Sequence, residues 1–277
     1  MKSTALGFIL YQPDEIVTAS VDLALNSGYK VFVYDNSPDS VTMREYLRGK
    51  AGVSYFGEGI NRGLGIGLTH ICSQAFSEGY SSLLFFDQDT LFTPETLSTV
   101  EEFYQYNKSL MKKYAAVVFN SSTVIKDSNS TSIDMQYFKQ VCLARNSGSL
   151  YYLPNLSKMS WHDTSYFVDG VDYEFCLRAR LNKMLIGEYS QTPGFDHTTE
   201  QDVSPYKFPG TKMELRKYSW NRIKDTVRSS MKIIIKSIRH HQILFMFSML
   251  RLIHIYVFGQ IVIRLIYLFK PIRVINE

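Results

Sequence analysis

Cysteine is scarce in this chain. Its 277 residues include three, Cys72, Cys142 and Cys176. The number is odd and no pair has metal-motif spacing, so neither a disulfide framework nor a cysteine zinc site is expected, and a reduced, intracellular compartment fits. Net charge is low as well, at +4. Composition therefore gives no argument for a nucleic-acid partner. Residues Met1–Asp14 lack a basic region followed by a long apolar core and a small-residue cleavage site, so no secretory signal is expected. The uncharged runs of the C-terminal part fall short of the ~20 residues that a spanning helix needs. No internal repeat is visible.

What is present is ordinary globular material, with 45% apolar and 20% charged residues, which excludes wholesale disorder. The length suits one large α/β domain with an appendage, or two small domains.

Strand and helix signals alternate from the start. Ala5–Tyr11 is a short apolar run ended by Gln12-Pro13-Asp14, and Glu15–Asn26 has helical spacing closed by Ser27-Gly28. Lys30–Tyr34 is β-rich and runs into the turn cluster Asp35-Asn36-Ser37-Pro38-Asp39. Val41–Gly49 reads as a helix, Val53–Phe56 as a strand, Gly57–Gly67 as a glycine-rich loop, Leu68–Glu78 as a helix, and Ser82–Phe86 as a buried strand cut off by Asp87-Gln88-Asp89. Pro94–Lys113 reads as a helix and Ala115–Asn120 as a strand, followed by a polar loop over Ser121–Asp134. The stretch from there to Tyr152 has no clear pattern. This rhythm predicts an α/β fold with a mostly parallel sheet covered by helices on both faces. Ligands in such sheets sit beyond the carboxyl ends of the strands, where Gln12–Asp14, Asp35–Ser37 and Asp87–Asp89 all fall.

Several groups there have the chemistry for a site. Asp87 and Asp89 are two apart at a strand end, so both carboxylates can point at one ion. Two close carboxylates repel unless a cation or proton lies between them, and hard divalent ions prefer oxygen ligands. The bland alternative is a polar turn, with Asp89 capping the next helix. Asp35 is placed to accept hydrogen bonds from a base or ribose, or simply to shape a turn. Asn61-Arg62-Gly63-Leu64-Gly65-Ile66-Gly67 leads into a helix whose N-terminus would favour anions, but its spacing matches neither a Walker loop nor the dinucleotide fingerprint. Within Tyr166–Arg180, Asp169 reads as a helix cap. Asp172 and Glu174 load the first turn, and Glu174 pairs with Arg178 four residues on. Asp172 reads equally as first-turn acid or as general base. His197 gains interest only if the chain returns it to the Asp87–Asp89 edge, where imidazole can ligate a metal.

Basic residues outnumber acids from Arg216 onward. Were 225–264 one helix, Lys232, Lys236, Arg239, His240, Arg251, His254 and Arg264 would share one side, with apolar residues around the rest. That pattern predicts a helix lying in a membrane interface, with a break near Gly259 also compatible. Helices packed on the domain, or a true span, are the alternatives.

The chain resembles glycosyltransferase family 2, in particular its bacterial rhamnosyltransferase-like group of O-antigen and capsule synthesis. The resemblance runs from about Leu6 to Arg222. It rests on Phe8-Ile9-Leu10-Tyr11-Gln12-Pro13, Val33-Tyr34-Asp35-Asn36-Ser37, Asn61-Arg62-Gly63-Leu64-Gly65, Phe85-Phe86-Asp87-Gln88-Asp89-Thr90 and Asp169-Gly170-Val171-Asp172-Tyr173-Glu174-Phe175-Cys176-Leu177-Arg178. The family usually carries Asn at the position of His70, and often Arg-Asn where Arg222-Ile223 stands. The resemblance implies a GT-A fold over residues 1–222 with a basic amphipathic helical segment over 223–277. It implies an inverting, metal-dependent transferase that uses a nucleotide-diphospho-sugar donor, dTDP-rhamnose first among the options, and a saccharide or polyprenyl-diphosphate-linked acceptor. Tyr11, Asp35, Asn61, Gly63, Asp87, Gln88 and Arg178 would hold the donor. Asp87, Asp89 and His197 would bind Mg²⁺ or Mn²⁺, and Asp172 would be the base, with Asp169 the fallback. An anionic membrane surface at the cytoplasmic face of the bacterial inner membrane would be a partner. A nucleotidyltransferase and a non-catalytic membrane-peripheral scaffold are the competing readings.

Overall fold

A computed structural model describes residues 3–38, 41–121, 133–197, 206–207 and 214–269. It divides into two compact units, Met1–Thr198 and Thr199–Glu277.

The first unit is organised by β1 (Thr4–Leu10), buried along its whole length. Then come α1 (Ile16–Asn26), β2 (Val31–Asp35), α2 (Val41–Arg48), β3 (Val53–Phe56), α3 (Leu64–Ser77), β4 (Ser82–Asp87) and the short β5 (Thr90–Leu91). Next are α4 (Pro94–Tyr106), α5 (Lys108–Met111), β6 (Tyr114–Ser121), β7 (Phe138–Val141), β8 (Ser149–Tyr152), α6 (Leu153–Lys158), α7 (Val171–Leu181), β9 (Leu185–Thr192) and β10 (Asp196–His197). The main sheet has eight strands in the order β3-β2-β1-β4-β8-β6-β9-β7. Every strand runs in one direction except β8 and β7, which pair antiparallel with their neighbours. The mostly parallel α/β sheet expected from the sequence is therefore present.

Alternation along each strand sends side chains to two layers. Leu6, Phe8, Val31, Val33, Leu84, Phe86, Val117 and Phe119 enter a continuous core with Val17 and Val21 of α1 and Val100 and Phe103 of α4. The opposite face packs on α3: a Cβ on Gly7 would lie 2.7 Å from Ile71 and 2.8 Å from Leu83. Asp87 shares that second face, since it follows Leu83 and Phe85 at strand spacing.

Several boundaries differ from the sequence reading. The helix expected from Leu68 begins at Leu64, so Gly65 and Gly67 lie inside it. Glycine is a poor helix former, but here close packing decides. A Cβ on Gly65 would sit 2.8 Å from the carbonyl oxygens of Asp163 and Tyr166, and one on Gly67 2.8 Å from Ile9. The helix expected over Pro94–Lys113 is broken at Asn107, whose side-chain amide donates to the Phe103 carbonyl at 2.9 Å. Thr93, not Asp89, caps α4, in a reciprocal box with Thr96. Gly170, with φ of 86°, occupies the cap of α7 in place of Asp169. Most of the polar loop expected after Ser121, residues 122–132, lies outside the described residues.

The second unit holds β11 (Tyr206–Lys207), β12 (Glu214–Leu215) and two helices, α8 (Trp220–Arg239) and α9 (Ile243–Phe269). The break falls at His240–Gln242, where His241 has φ of 55°. Gly259 instead lies within α9, beside Leu215. Ile233, Ile234, Phe245, Met249 and Ile263 are buried. The Gln260 amide accepts from the Tyr218 N–H at 3.1 Å and donates to the Arg216 carbonyl at 2.8 Å, while Arg264 donates to the Tyr218 carbonyl at 2.7 Å. These bonds fasten the segment before α8 to α9. Ile243–Leu268 is one helix long and apolar enough, by length and composition, to cross a membrane, which the short uncharged runs did not suggest.

Candidate active site

The site is assembled where β1, β2 and β4 end. Tyr11 and Gln88 meet there across two adjacent strands. The Tyr11 N–H donates to Gln88 Oε1 at 2.7 Å and Gln88 Nε2 donates to the Tyr11 carbonyl at 3.1 Å. The Gln12 N–H donates to Ser37 Oγ at 2.7 Å, tying the first loop to the second. Asp35 is fully buried. Its Oδ1 accepts from the Ser37 N–H at 2.8 Å and its Oδ2 from the Tyr55 hydroxyl. Asn36 carries the order on to the third loop, accepting from the Arg62 N–H at 2.8 Å and donating to the Gly63 carbonyl at 3.3 Å. Asn61 accepts from the Gly63 N–H at 2.9 Å. Gly63 adopts φ of 87°, and a Cβ there would stand 2.5 Å from the Phe167 carbonyl oxygen. The close approach that glycine permits is thus made by the segment leading into α7, which the Leu64 N–H also binds at 2.6 Å.

That packing sets the position of Asp172 in the first turn of α7. Asp87 and Asp172 are half-buried, each keeping part of its surface open to solvent while protein surrounds it on most sides. Burial pushes the Asp87 carboxyl up to about 7, and the charges of Asp89 and Asp172 add to the effect. Burial likewise lifts Asp172 to about 6, with Asp169 adding and the Tyr173 N–H, 2.9 Å from Oδ1, opposing. The charges of Asp89 and Asp172 thus both act on Asp87.

The donor set fits a hard divalent ion to the extent of two carboxylates from one strand end, whose mutual repulsion a cation would relieve. Among the described residues, no group of three His, Cys, Asp or Glu side chains is placed to hold a metal. His197 returns to this edge by its backbone, since β10 pairs with β5 and sets His197 opposite Thr90, the residue after Asp89. Its side chain is outside the described set.

Arg178 is placed differently from the acids. It bonds Glu174 at 2.9 Å, the pairing expected from spacing, and the Met159 carbonyl at 3.1 Å, so it braces α7 against the end of α6. His70 packs on Phe56 and Tyr34 with ring centroids 4.4 and 5.4 Å away. Arg222 stacks over Tyr218 within the second unit.

The sequence reading missed Arg145 and Ser147. Ser147 Oγ accepts from the Asp87 N–H at 3.0 Å and bonds Thr90 Oγ1 at 2.8 Å. The guanidinium of Arg145 opposes the raised proton affinity of both Asp87 and Asp172. The signal was the Asn146-Ser147-Gly148 turn, inside the stretch without periodicity.

The sequence matches no protein-family model, and no curated protein matches it. The structure is similar to solved structures. Residues 1–349 of S. aureus TarS in complex with UDP-GlcNAc align at 16% identity over 90% of this chain and 72% of that one, with a TM-score of 0.57. Another crystal structure of the same fragment aligns at 17% identity over 85% of this chain and 65% of that one, with a TM-score of 0.52. GalNAc-T7 with UDP, GalNAc and Mn²⁺ aligns at 10% identity over 82% of this chain and 47% of that one, with a TM-score of 0.55. The chain has the GT-A glycosyltransferase fold, to which C-terminal helices are added.

Proposed function

We propose that the chain is an inverting glycosyltransferase that moves a sugar from a nucleoside-diphosphate donor to an acceptor hydroxyl. The observation that carries this reading is that Asp89 and Asp172 both bring their charge to bear on the Asp87 carboxyl at the end of β4. Similarity to folds solved with UDP-GlcNAc and UDP supports the donor class.

In the reaction the acceptor oxygen forms a bond to the anomeric carbon as the bond to the diphosphate oxygen breaks. Asp172 accepts the hydroxyl proton, and the nucleoside diphosphate leaves with the bonding pair. A carboxyl raised to about 6 is still mostly ionised at neutral pH and is basic enough to share a proton in the transition state. Displacement from the opposite face inverts the anomeric configuration. A Mg²⁺ or Mn²⁺ ion held by Asp87 and Asp89, with His197 as a further ligand, would neutralise charge on the departing diphosphate. The Tyr11–Gln88 clamp and the loop from Asn61 to Gly63 keep the donor crevice in shape, with Asp35 holding the turn that borders it. Rhamnose is the sugar that the sequence resemblance favours, with a saccharide or polyprenyl-diphosphate-linked saccharide as acceptor in surface-polysaccharide synthesis.

The α8–α9 pair supports an anionic membrane surface as partner, at the cytoplasmic face of a bacterial inner membrane. Met231, Ile235 and Ile238 are exposed in line on α8, with Arg228, Lys232 and Arg239 beside them. On α9, Leu244, Phe247, Phe258, Ile261, Leu265 and Leu268 are exposed. Arg251 and His254 are exposed on that same face, midway along the helix. Charges at mid-bilayer are costly, whereas at the interface they reach headgroups, so an interfacial position is favoured over a span.

The test of the activity is release of nucleoside diphosphate. Purified protein with Mn²⁺ should slowly hydrolyse one of dTDP-rhamnose, UDP-GlcNAc, UDP-galactose or UDP-galactofuranose. Release of nucleoside monophosphate instead would show nucleotidyl chemistry, and no turnover or binding of any sugar nucleotide would remove the transferase reading.

A further inference from the structure

Arg145 stands in the loop between β7 and β8, and that loop is latched to the end of β4. The Gly148 N–H donates to the Phe85 carbonyl at 2.9 Å, Ser147 Oγ receives the Asp87 N–H at 3.0 Å, and Asn146 Oδ1 receives the Tyr151 hydroxyl at 3.0 Å. Asn146, Ser147 and Gly148 are buried, whereas Arg145 is exposed. The latch uses none of its side chain, so the guanidinium is presented by a fixed backbone at low entropic cost. It makes no hydrogen bond or ion pair among the described residues, although Asp87, Asp172 and Tyr173 all feel its charge. It also lines a cleft of about 310 Å³ with Val118, Asn120, Leu143, Ala144 and Glu188. Glu188 is already paired, with Lys139 at 3.2 Å and Asn120 at 2.8 Å.

Asp87, Asp89 and Asp172 would repel a phosphate-bearing substrate, and a planar guanidinium matches phosphate oxygens two at a time. We infer that Arg145, two residues from the Ser147 that bonds the Asp87 N–H, binds a phosphate group of a substrate diphosphate beside Asp87 and Asp172. The inference rests on the transferase reading of those acids. Two sources offer the same chemistry: the diphosphate of the sugar-nucleotide donor, and the diphosphate of a lipid-linked acceptor.

Calorimetric titrations of the full chain with UDP, UMP and geranyl diphosphate, each with Mn²⁺, separate them. Replacing Arg145 by Ala should weaken a diphosphate probe about tenfold to a hundredfold, the range for a lost charged hydrogen bond, and leave UMP unchanged. R145K should recover part of the loss, and it replaces R145A if that variant fails to fold. Loss confined to UDP assigns Arg145 to the donor, and loss confined to geranyl diphosphate assigns it to the acceptor. Unchanged affinity for both probes overturns the inference, as does a wild-type chain that binds neither. Arg145-dependent binding of geranyl diphosphate by a chain with no affinity for UDP would keep Arg145 and count against the UDP-sugar form of the donor reading.

Discussion

The Asp172 carboxylate, in the first turn of α7, raises the proton affinity of Asp87 at the end of β4. The two are far apart in sequence, and the glycines that open α3 bring them together. Gly63 and Gly65 let the segment from Asp163 to Phe167 lie directly on the start of α3, and that segment delivers α7.

Both acids hold protons more tightly in the folded protein than in the unfolded chain, at about 7 for Asp87 and about 6 for Asp172 against the ordinary aspartate value of 3.8. The native state therefore binds more protons between about pH 4 and 7, so stability without metal should fall as pH rises through that window. Mn²⁺ should raise Tm more at pH 7.5 than at pH 5, because at low pH protons already neutralise the site. Thermal unfolding at both pH values, with and without Mn²⁺, checks this, and an equal or larger metal effect at pH 5 would contradict it.

Gly63→Ala should lower stability by about 2 kcal/mol or more, combining left-handed backbone strain with a clash that nothing flexible can relieve. A Cβ there meets the Phe167 carbonyl oxygen at 2.5 Å. Since the same contact positions α7, activity should fall further than the Tm change alone explains. Denaturant titration and turnover measured on one preparation would show it. A variant matching wild type in both would mean that the contact does not position α7.

Replacing Ile238 and Phe247, both exposed, by Glu should reduce co-flotation with phosphatidylglycerol-containing vesicles at least tenfold while leaving Tm within a few degrees. Binding should weaken with added salt and be poor on phosphatidylcholine alone. Equal binding by the double variant would leave these helices without a lipid partner.

The layered fold was legible because apolar runs of strand length were punctuated by turn residues, and β1, β2 and β4 emerged where those runs stood. The strand end at Asp87 and the first-turn position of Asp172 were legible because both are local properties, whereas Asp89 lies in the turn after β4 rather than at strand spacing. The early start of α3 was not, since propensity argues against Gly65 and Gly67 and only contacts with Asp163, Tyr166 and Ile9 favour them. The Asp169 cap failed for a related reason: Gly170 alone tolerates the left-handed turn into α7. Arg145 was invisible because an exposed arginine in an aperiodic loop gains its meaning from the latch at Ser147 and Gly148, made by residues distant in sequence.

The central claim is that Asp172 takes the acceptor proton beside Asp87 and Asp89. It is tested most directly by Asp172→Asn, which keeps the shape of the side chain and removes its basicity. Once the panel has identified the donor, acceptor-dependent release of nucleoside diphosphate is measured from pH 5 to 8, with donor binding measured in parallel. The account predicts a wild-type rate that climbs with pH along an acidic limb near 6, and a variant that binds the donor with unchanged affinity yet transfers at least a thousandfold more slowly, a loss in the range for a general base. Transfer by the variant at near wild-type rate would contradict it.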